Sequence, residues 1–281
     1  MSPQEATSKI EDLVLGTSAK FIEGIEKTQN AILGKINSYV RQLELTTTGT
    51  IRANTSNLKL LRSIKQELSA IIVNTAYRKK LDDYMKGFDG LKGINDKYFS
   101  VLASSFLPTK YLYKEILNNA ITVTQTSLLE AGISENVIKP INDILNQNIT
   151  TGGLITDLEK TLRTYIVGDV KRLGSLQRYV TQISRDALNQ YSANYTQAIS
   201  NDLGLEWYYY SAGRKENTRS YCEVRAGKYY KLSQIKDVPE NWSGRIPGTN
   251  SSNILTYRGG FNCMHQYYPV LEASVPEEFR D

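Results

Sequence analysis

The sequence predicts an α+β protein whose N-terminal two-thirds are mainly helical and whose C-terminal part is a small, loop-rich module with a few β-strands. Three observations support this fold class. Apolar residues recur with a helical period over most of the first 205 positions. After Gly204 the pattern changes to short, aromatic-rich runs bounded by glycine, which are typical of strands. At 281 residues, the chain is long enough for two domains.

The first helical region runs from Glu5 to about Leu45. Its apolar residues repeat about every 3.6 positions, which predicts one long amphipathic helix. The run TTTGT at 46–50 is expected to end this helix, because β-branched residues and glycine have a low helical preference. A second apolar stripe predicts another helix that reaches about Phe88.

Glycines are expected to loosen the chain after this second helix, at positions 87, 90 and 93. Residues 1–105 are therefore predicted to form a helical hairpin or docking arm. Each of its helices has a single apolar stripe that needs a covering surface. Two alternatives remain open: the stripes pair within the chain, or they pair with another subunit of an assembly.

Shorter helical segments are predicted for residues 106–205, the helical part of a second domain. Gly132 is expected to stop a helix, and a short helix should lead into Pro140. The sequence TTGG at 150–153 predicts a turn.

Two further helices complete this region. Thr156 and Glu159 have the spacing of a capping box, in which each side chain bonds a free backbone amide at the start of a helix. A long helix is predicted over 173–203, and Gly204 is a suitable C-terminal cap.

Residues 206–281 are predicted to form a small α+β module. Strands are expected in LEWYYYSAG (205–213), GKYYKLSQI (227–235) and NCMHQYYPV (262–270). The segment at 239–253 between the last two is rich in proline, glycine, serine and asparagine, which predicts irregular structure.

Composition excludes several classes of protein. The net charge of +5 comes from 34 basic and 29 acidic residues spread along the chain, which gives only weak support for a nucleic-acid partner. Two cysteines cannot form a disulfide framework, so a reducing, cytoplasm-like setting is expected. No signal peptide or transmembrane segment is expected, since no window approaches 18 consecutive apolar residues.

The candidate chemistry lies in Cys222, Cys263 and His265, which include both cysteines and the single histidine. On a strand, residues 263 and 265 face the same side, so a thiolate and an imidazole could bind one ion with Cys222. Zinc suits these ligands, although a four-coordinate site needs one more. Two alternatives remain open: a packed core without a metal, and a Cys/His nucleophile that lacks an identifiable orienting residue.

Other motifs are weaker. No phosphate-cradling loop, metalloprotease motif or serine-hydrolase motif is present. Arginine and lysine alternate with tyrosine and tryptophan between Arg219 and Arg258. Such a surface could stack on single-stranded nucleic acid, but a small core with cation–π contacts is the favoured interpretation.

Four ordered stretches carry a family resemblance: NTRSYCEVRAGKYY (217–230), the Trp242–Gly244 pair, PGTNSSNI (247–254) and YRGGFNCMHQYYPV (257–270). They resemble the C-terminal signature of the phage head-morphogenesis, or minor capsid, family, the Mu-like minor head proteins. The resemblance covers roughly residues 109–270, including the preceding helical segments.

The residues that match the family pattern belong to the C-terminal module. Lys215 and Asn217 depart from it where many members carry Asp and Arg, and Met264 stands where Arg is common, so an anion-binding or charge-relay role is in doubt. The matching positions are Thr218, Arg219, Cys222, Gly227, Lys228, Trp242, Gly244, Asn262, Cys263 and His265.

The resemblance implies a structural virion protein rather than an enzyme. A member of this family would be present in few copies near the portal vertex and would act in head assembly and in DNA packaging or delivery. Its expected partners are portal or capsid subunits, with packaged DNA as a further candidate, in an oligomeric particle assembled in the cytoplasm of a bacterial host. The alternatives are a DNA-binding internal head protein and a Cys/His-dependent enzyme module.

Overall fold

The structure, a computed structural model, describes residues 1–72, 75–129, 131–211, 213, 218–237, 248–260 and 263–280. The predicted fold class is confirmed: the protein is mainly helical, with a small antiparallel sheet near the C-terminus. The helices are α1 Pro3–Glu23, α2 Ile25–Val40, α3 Thr55–Ile72, α4 Thr75–Leu102, α5 Tyr111–Leu129, α6 Ala131–Ile133, α7 Lys139–Thr151, α8 Ile155–Ile166, α9 Ser175–Leu203, α10 Ser220–Glu223, α11 Leu232–Lys236 and α12 Ile254–Tyr257. The strands are β1 Trp207–Tyr210, β2 Tyr229–Lys231 and β3 Tyr267–Val270.

The chain folds into two compact units, each built from segments that are separated in sequence. Unit 1 comprises Met1–Thr17, Met85–Thr122 and Ser184–Asp281, and unit 2 comprises Ser18–Tyr84 and Val123–Ile183. Helices α1, α4, α5 and α9 each contribute residues to both units. The predicted division into 1–105, 106–205 and 206–281 stays a prediction.

Unit 2 has a helical core in which α2, α3, α7 and α8 pack together. The apolar residues that repeat with a helical period are the ones that this packing buries, because one stripe of each helix faces its neighbours. Fully buried members include Ile32, Ile36, Leu145, Leu158 and Leu162.

The single long helix predicted for the first 45 residues is wrong, because a break at Gly24 divides it into α1 and α2. A Cβ atom at Gly24 would lie 3.1 Å from Cγ of Lys80, so the absent side chain allows the lysine to pack there. The apolar stripe is nevertheless buried within the chain, with Ile10, Val14 and Ile25 at most 1% exposed.

The glycines at 87, 90 and 93 do not loosen the chain, since α4 continues through all three. A Cβ atom at Gly87 would lie 2.9 Å from Cγ2 of Thr17, and one at Gly90 would lie 2.9 Å from Cδ1 of Leu13. These two glycines therefore serve the close approach of α1 and α4 in unit 1.

The helix stop predicted at Gly132 is also wrong. The described chain is helical from Ala131 to Thr151, through α6, a π-helical turn at Ser134–Ile138 and α7. A Cβ atom at Gly132 would lie 2.1 Å from the carbonyl oxygen of Ser127, so only glycine fits. Pro140 does not end a helix but lies in the first turn of α7, directly after the π-helical turn.

The predicted capping box fails as well, since Leu154 is the N-cap of α8 and no side chain caps it. The turn predicted at 150–153 and the helix end predicted at Gly204 are both confirmed by glycines in the left-handed region. Gly152 ends α7 at φ +70°, and Gly204 ends α9 at φ +63°.

The sheet has the strand order β2-β1-β3, and both pairs are antiparallel. Trp207 pairs with Lys231 on one side and with Val270 on the other. All three predicted strands are present, but β3 begins at Tyr267, so Cys263 and His265 precede it. The central strand β1 alternates between two buried clusters: Tyr208 and Tyr210 join the cluster that holds both cysteines, whereas its other two residues pack near Val275.

Candidate functional site

The structure brings Cys222, Cys263 and His265 together in unit 1. The two Sγ atoms are 3.6 Å apart, and Sγ of Cys263 lies 3.8 Å from Nδ1 of His265. The three potential ligand atoms all lie within 4.8 Å of one another. All three residues are buried, with exposed fractions of 2%, 3% and 8%, and neither cysteine is in a disulfide. These residues could therefore hold a metal ion.

A chain reversal after β1 places Cys222 beside the central strand. The backbone N–H of Tyr210 donates to the carbonyl of Lys228, and the N–H of Gly227 donates to the carbonyl of Tyr210. Gly227 has φ +80°, which favours glycine. Between these anchors, α10 begins after Arg219 and presents Cys222 to the interior. Gly227 and Lys228 thus act through their backbone.

A tight turn after α12 places Cys263 opposite Cys222. The N–H of Gly260, at φ +84°, donates to the carbonyl of Tyr257, and the N–H of Cys263 donates to the carbonyl of Gly260. Gly259 packs directly on the sulfurs: a Cβ atom there would lie 2.3 Å from Sγ of Cys222 and 3.0 Å from Sγ of Cys263. Nη1 of Arg219 donates to the carbonyl of Gly259 at 3.0 Å, which holds the turn against α10.

Tyr210 completes the cluster, and the sequence did not single it out. Its side chain is fully buried, and its hydroxyl donates to Sγ of Cys222 at 3.2 Å and lies 4.0 Å from Sγ of Cys263. Its ring is parallel to that of His265, with an interplanar angle of 2° and centroids 5.4 Å apart. Strand alternation in WYYY could have marked residues 208 and 210 as facing one side, but not the side that carries the cysteines.

Arg258 is the buried cation of the site, at 2% exposure. Its backbone has φ +53°, a strained conformation for a non-glycine residue that is often found at functional sites. Nη1 donates to the carbonyl of Asn189 at 3.2 Å, whereas Nε is buried without a hydrogen-bond partner among the described residues. Nε2 of His265 is likewise buried without a hydrogen-bond partner among the described residues.

These groups shift the ionisation of the two thiols in opposite directions. The hydrogen bond from Cys222, together with His265 and Arg258, lowers the pKa of Cys263 although burial opposes it. The same hydrogen bond and burial raise the pKa of Cys222. Burial also raises the pKa of Tyr210. The cluster therefore favours one thiolate, which is the form that binds metals.

The geometry suits a metal site better than a nucleophilic enzyme site. A catalytic Cys/His pair needs substrate access and a third group that orients the imidazole. Here both side chains are buried, and within the described part of the chain no carboxylate joins the group of possible metal ligands.

Most of the motif residues picked from the sequence lie around this cluster. Arg219, Cys222, Gly227, Lys228, Cys263 and His265 all take part in the contacts above. Thr218 lies in the loop immediately before α10. Trp242, Gly244 and Asn262 fall outside the described residues, as do Lys215 and Asn217.

Unit 2 has a separate cavity of about 480 Å³ that the sequence reasoning missed. Three cations contribute to its wall, Lys160, Arg172 and Arg178, and one carboxylate, Asp157, stands among them. Nε of Arg178 is buried without a hydrogen-bond partner among the described residues. Because these cations come from two helices and a loop, their spacing in sequence gives no signal. The remaining lining residues are Ile144, Thr161, Thr164 and Tyr165.

Four exposed apolar side chains lie close together in sequence, where α4 leads into α5 in unit 1. Val101 is 70% exposed, Leu107 58%, Tyr111 75% and Leu112 50%. We call these four residues the apolar corner. Helical periodicity in the sequence does not predict this surface, because a periodic pattern does not say which apolar residues stay in solvent.

No family model matches this sequence, and comparisons with curated proteins and with solved structures find no significant match. The resemblance to phage head-morphogenesis proteins therefore depends on the motif residues themselves. Among the described residues, none of the helices has both the length and the apolar character that crossing a bilayer requires.

Proposed function

We propose that this protein is a structural component of a phage particle, a minor capsid or head-morphogenesis protein that acts near the portal vertex. It would serve head assembly and DNA packaging or delivery. The ordered motifs of the C-terminal module support this proposal through the family they resemble. The burial of Cys222, Cys263 and His265 supports it too, because it favours a structural role over a catalytic one.

The observation that carries an interaction role is the apolar corner. Soluble monomers rarely expose extended apolar patches, and such patches mark surfaces that bind other proteins. Four large apolar side chains, each at least half exposed, occur within twelve consecutive residues here. A portal or capsid subunit is the kind of partner that would cover them in an assembled head.

The test is to replace Val101, Leu107 and Tyr111 together by serine and to measure incorporation into particles. Exposed residues contribute little to stability, roughly 0.5 kcal/mol or less each, so the variant should fold. We expect incorporation to fall at least tenfold. Val170→Ser, a change at a fully exposed apolar residue of unit 2, is the matched control and should incorporate normally. Equal incorporation of both variants would contradict an assembly role for the corner.

We further infer that Cys222, Cys263 and His265 bind one Zn²⁺, which holds the C-terminal module together. Zn–S bonds of about 2.3 Å and Zn–N bonds of about 2.0 Å in a tetrahedron place two sulfurs about 3.8 Å apart and a sulfur and a nitrogen about 3.5 Å apart. The observed separations are 3.6 Å and 3.8 Å. Metal analysis of the purified chain should find one zinc per molecule, and Cys263→Ser should lose it. A metal-free wild-type protein that resists zinc loading would refute this inference.

The cationic cavity of unit 2 favours a second candidate function, binding of phosphate groups of packaged DNA. Lys160, Arg172 and Arg178 line one cavity, and Nε of Arg178 is buried there without a hydrogen-bond partner among the described residues, so the cavity offers several cationic donors to an anion. Lys160→Gln with Arg178→Gln should weaken binding to duplex DNA and reduce its salt dependence by about one to two phosphate contacts. Lys171→Gln, an exposed neighbour that does not line the cavity, is the control. An equal loss in the control would refute this candidate.

A further inference from the structure

We propose that the hydroxyl of Tyr210 is the fourth zinc ligand, so that Tyr210, Cys222, Cys263 and His265 form a closed shell around the ion. This proposal rests on the zinc site inferred above. It resolves the difficulty raised by the sequence, which contains only two cysteines and one histidine.

The position of the hydroxyl supports this assignment. In a tetrahedral site with Zn–S of about 2.3 Å and Zn–O of about 2.0 Å, an oxygen lies about 3.5 Å from each sulfur. The Tyr210 oxygen lies 3.2 Å from Sγ of Cys222 and 4.0 Å from Sγ of Cys263. These two separations bracket the expected one, and each differs from it by about half an ångström or less.

Alternative ligands are poorly placed. The group of possible ligands among the described histidine, cysteine, aspartate and glutamate residues contains no carboxylate. Water could fill the fourth position in a catalytic site, which keeps one position open to solvent. Here, however, Tyr210 is 0% exposed and the other three residues are at most 8% exposed. The Tyr210 hydroxyl is a protein oxygen that is buried and already in contact with one sulfur.

The charges of the closed shell also balance. Zn²⁺ with two thiolates, one phenolate and a neutral imidazole has a net charge of −1, and each thiol or phenol proton still present when the ion binds is released to solvent. An uncompensated buried charge is costly. The guanidinium of Arg258, itself 2% exposed, supplies the compensating positive charge and already acts on Cys263 through space.

A closed shell would explain how the module is held together. Tyr210 lies at the end of the central strand β1, Cys222 in α10, and the remaining two ligands in the segment that leads into β3. One ion would therefore fasten three chain segments that contribute few residues to regular structure. Closed four-coordinate shells are typical of structural zinc sites, which contribute directly to folding free energy.

The experiment compares wild-type protein, Tyr210→Phe and Tyr208→Phe as full-length chains. Tyr208 is the matched control, since it lies on the same strand and is equally buried, but its hydroxyl bonds to Ser200 at 2.8 Å. Zinc content, zinc affinity in chelator competition, and the visible spectrum after cobalt replacement are measured for each. We expect Tyr210→Phe to lose at least about tenfold in zinc affinity and to change the cobalt spectrum. Tyr208→Phe should change neither.

Two further measurements use the wild-type protein, so their outcome does not depend on whether a variant folds. Adding zinc to metal-free protein should produce the ultraviolet difference band of an ionised phenol, and X-ray absorption should show two sulfurs and two lighter ligand atoms, nitrogen or oxygen, around zinc. Protein that takes up neither zinc nor cobalt would refute the zinc site itself. Zinc binding without the phenolate band, and with an unchanged Tyr210→Phe spectrum, would keep the zinc site but overturn the role of Tyr210.

Discussion

Replacing Gly259 by alanine should disrupt the Cys/His cluster whether or not a metal is bound. The added Cβ atom would lie 2.3 Å from Sγ of Cys222 and 3.0 Å from Sγ of Cys263. Favourable contacts between such atoms begin at roughly 3.5 Å, so the first sulfur would need to move by about 1.2 Å. It has little room, because Cys222 is buried and accepts a hydrogen bond from Tyr210.

The expected cost follows from this overlap. Extra methyl groups in a packed core cost about 1–3 kcal/mol of stability. Because this variant displaces two sulfurs, we expect a cost in the upper half of that range, about 2–3 kcal/mol. Each kcal/mol corresponds to a fall in melting temperature of about 2–4 °C for a chain of 150–250 residues, so Gly259→Ala should melt about 4–12 °C lower. A bound zinc should be lost as well, because the sulfurs would no longer meet.

Calorimetry and zinc analysis of Gly259→Ala beside Gly93→Ala provide the test. Gly93 lies inside α4, and a Cβ atom there would meet nothing within 4 Å. Alanine favours a helix over glycine by about 1 kcal/mol, so this control should melt at the wild-type temperature or above. If Gly259→Ala melts within a degree of wild type and keeps any bound zinc, the packing of both sulfurs on Gly259 is wrong.

Three other changes test the surrounding fold. The hydrogen bond from Tyr113 lowers the pKa of Asp202, so this carboxylate stabilises the fold above its unfolded pKa, and that stability is lost as pH falls through the folded pKa. Urea unfolding of Asp202→Asn at several pH values should show a loss of stability below about 1 kcal/mol at neutral pH that vanishes in acid. An equal loss at all pH values would refute this role of the carboxylate. Tyr268→Phe removes the hydroxyl that donates to Oδ1 of Asn95 at 2.9 Å and leaves that buried oxygen without this donor, so urea unfolding should show a loss of about 1–3 kcal/mol; an unchanged midpoint would contradict the bond. Leu162→Ala empties a fully buried position of unit 2 and should cost about 2–5 kcal/mol, whereas a change below 1 kcal/mol would mean that the site is not packed as described.

The helices were largely predictable because burial of one stripe leaves a periodic record in the sequence. Apart from the capping box, the errors fall on glycine and proline. Gly87, Gly90 and Gly132 looked like interruptions, but each makes room for a neighbouring group inside a helical segment. Single-residue preference cannot distinguish a glycine that breaks a helix from one that allows close packing, since the difference lies in the partner.

Only part of the candidate site could be predicted from the sequence. Cys222, Cys263 and His265 stood out because their side chains are chemically rare in this chain. Nothing in the sequence marks Tyr210 among nineteen tyrosines. Its place at the sulfurs depends on strand register and on the reversal at Gly227, which only the folded chain defines.

The sequence by itself therefore determined the α+β class, the change from helices to short strands after Gly204, and the ligand types that could meet a metal. These follow from hydropathy and from side-chain chemistry, which are local properties. Only the tertiary structure decided that both thiols and the imidazole converge and that Tyr210 and Arg258 join them. It also decided that Gly259 leaves space for the two sulfurs. Convergence depends on distances between residues far apart in the chain, and those distances are set by packing rather than by any one segment.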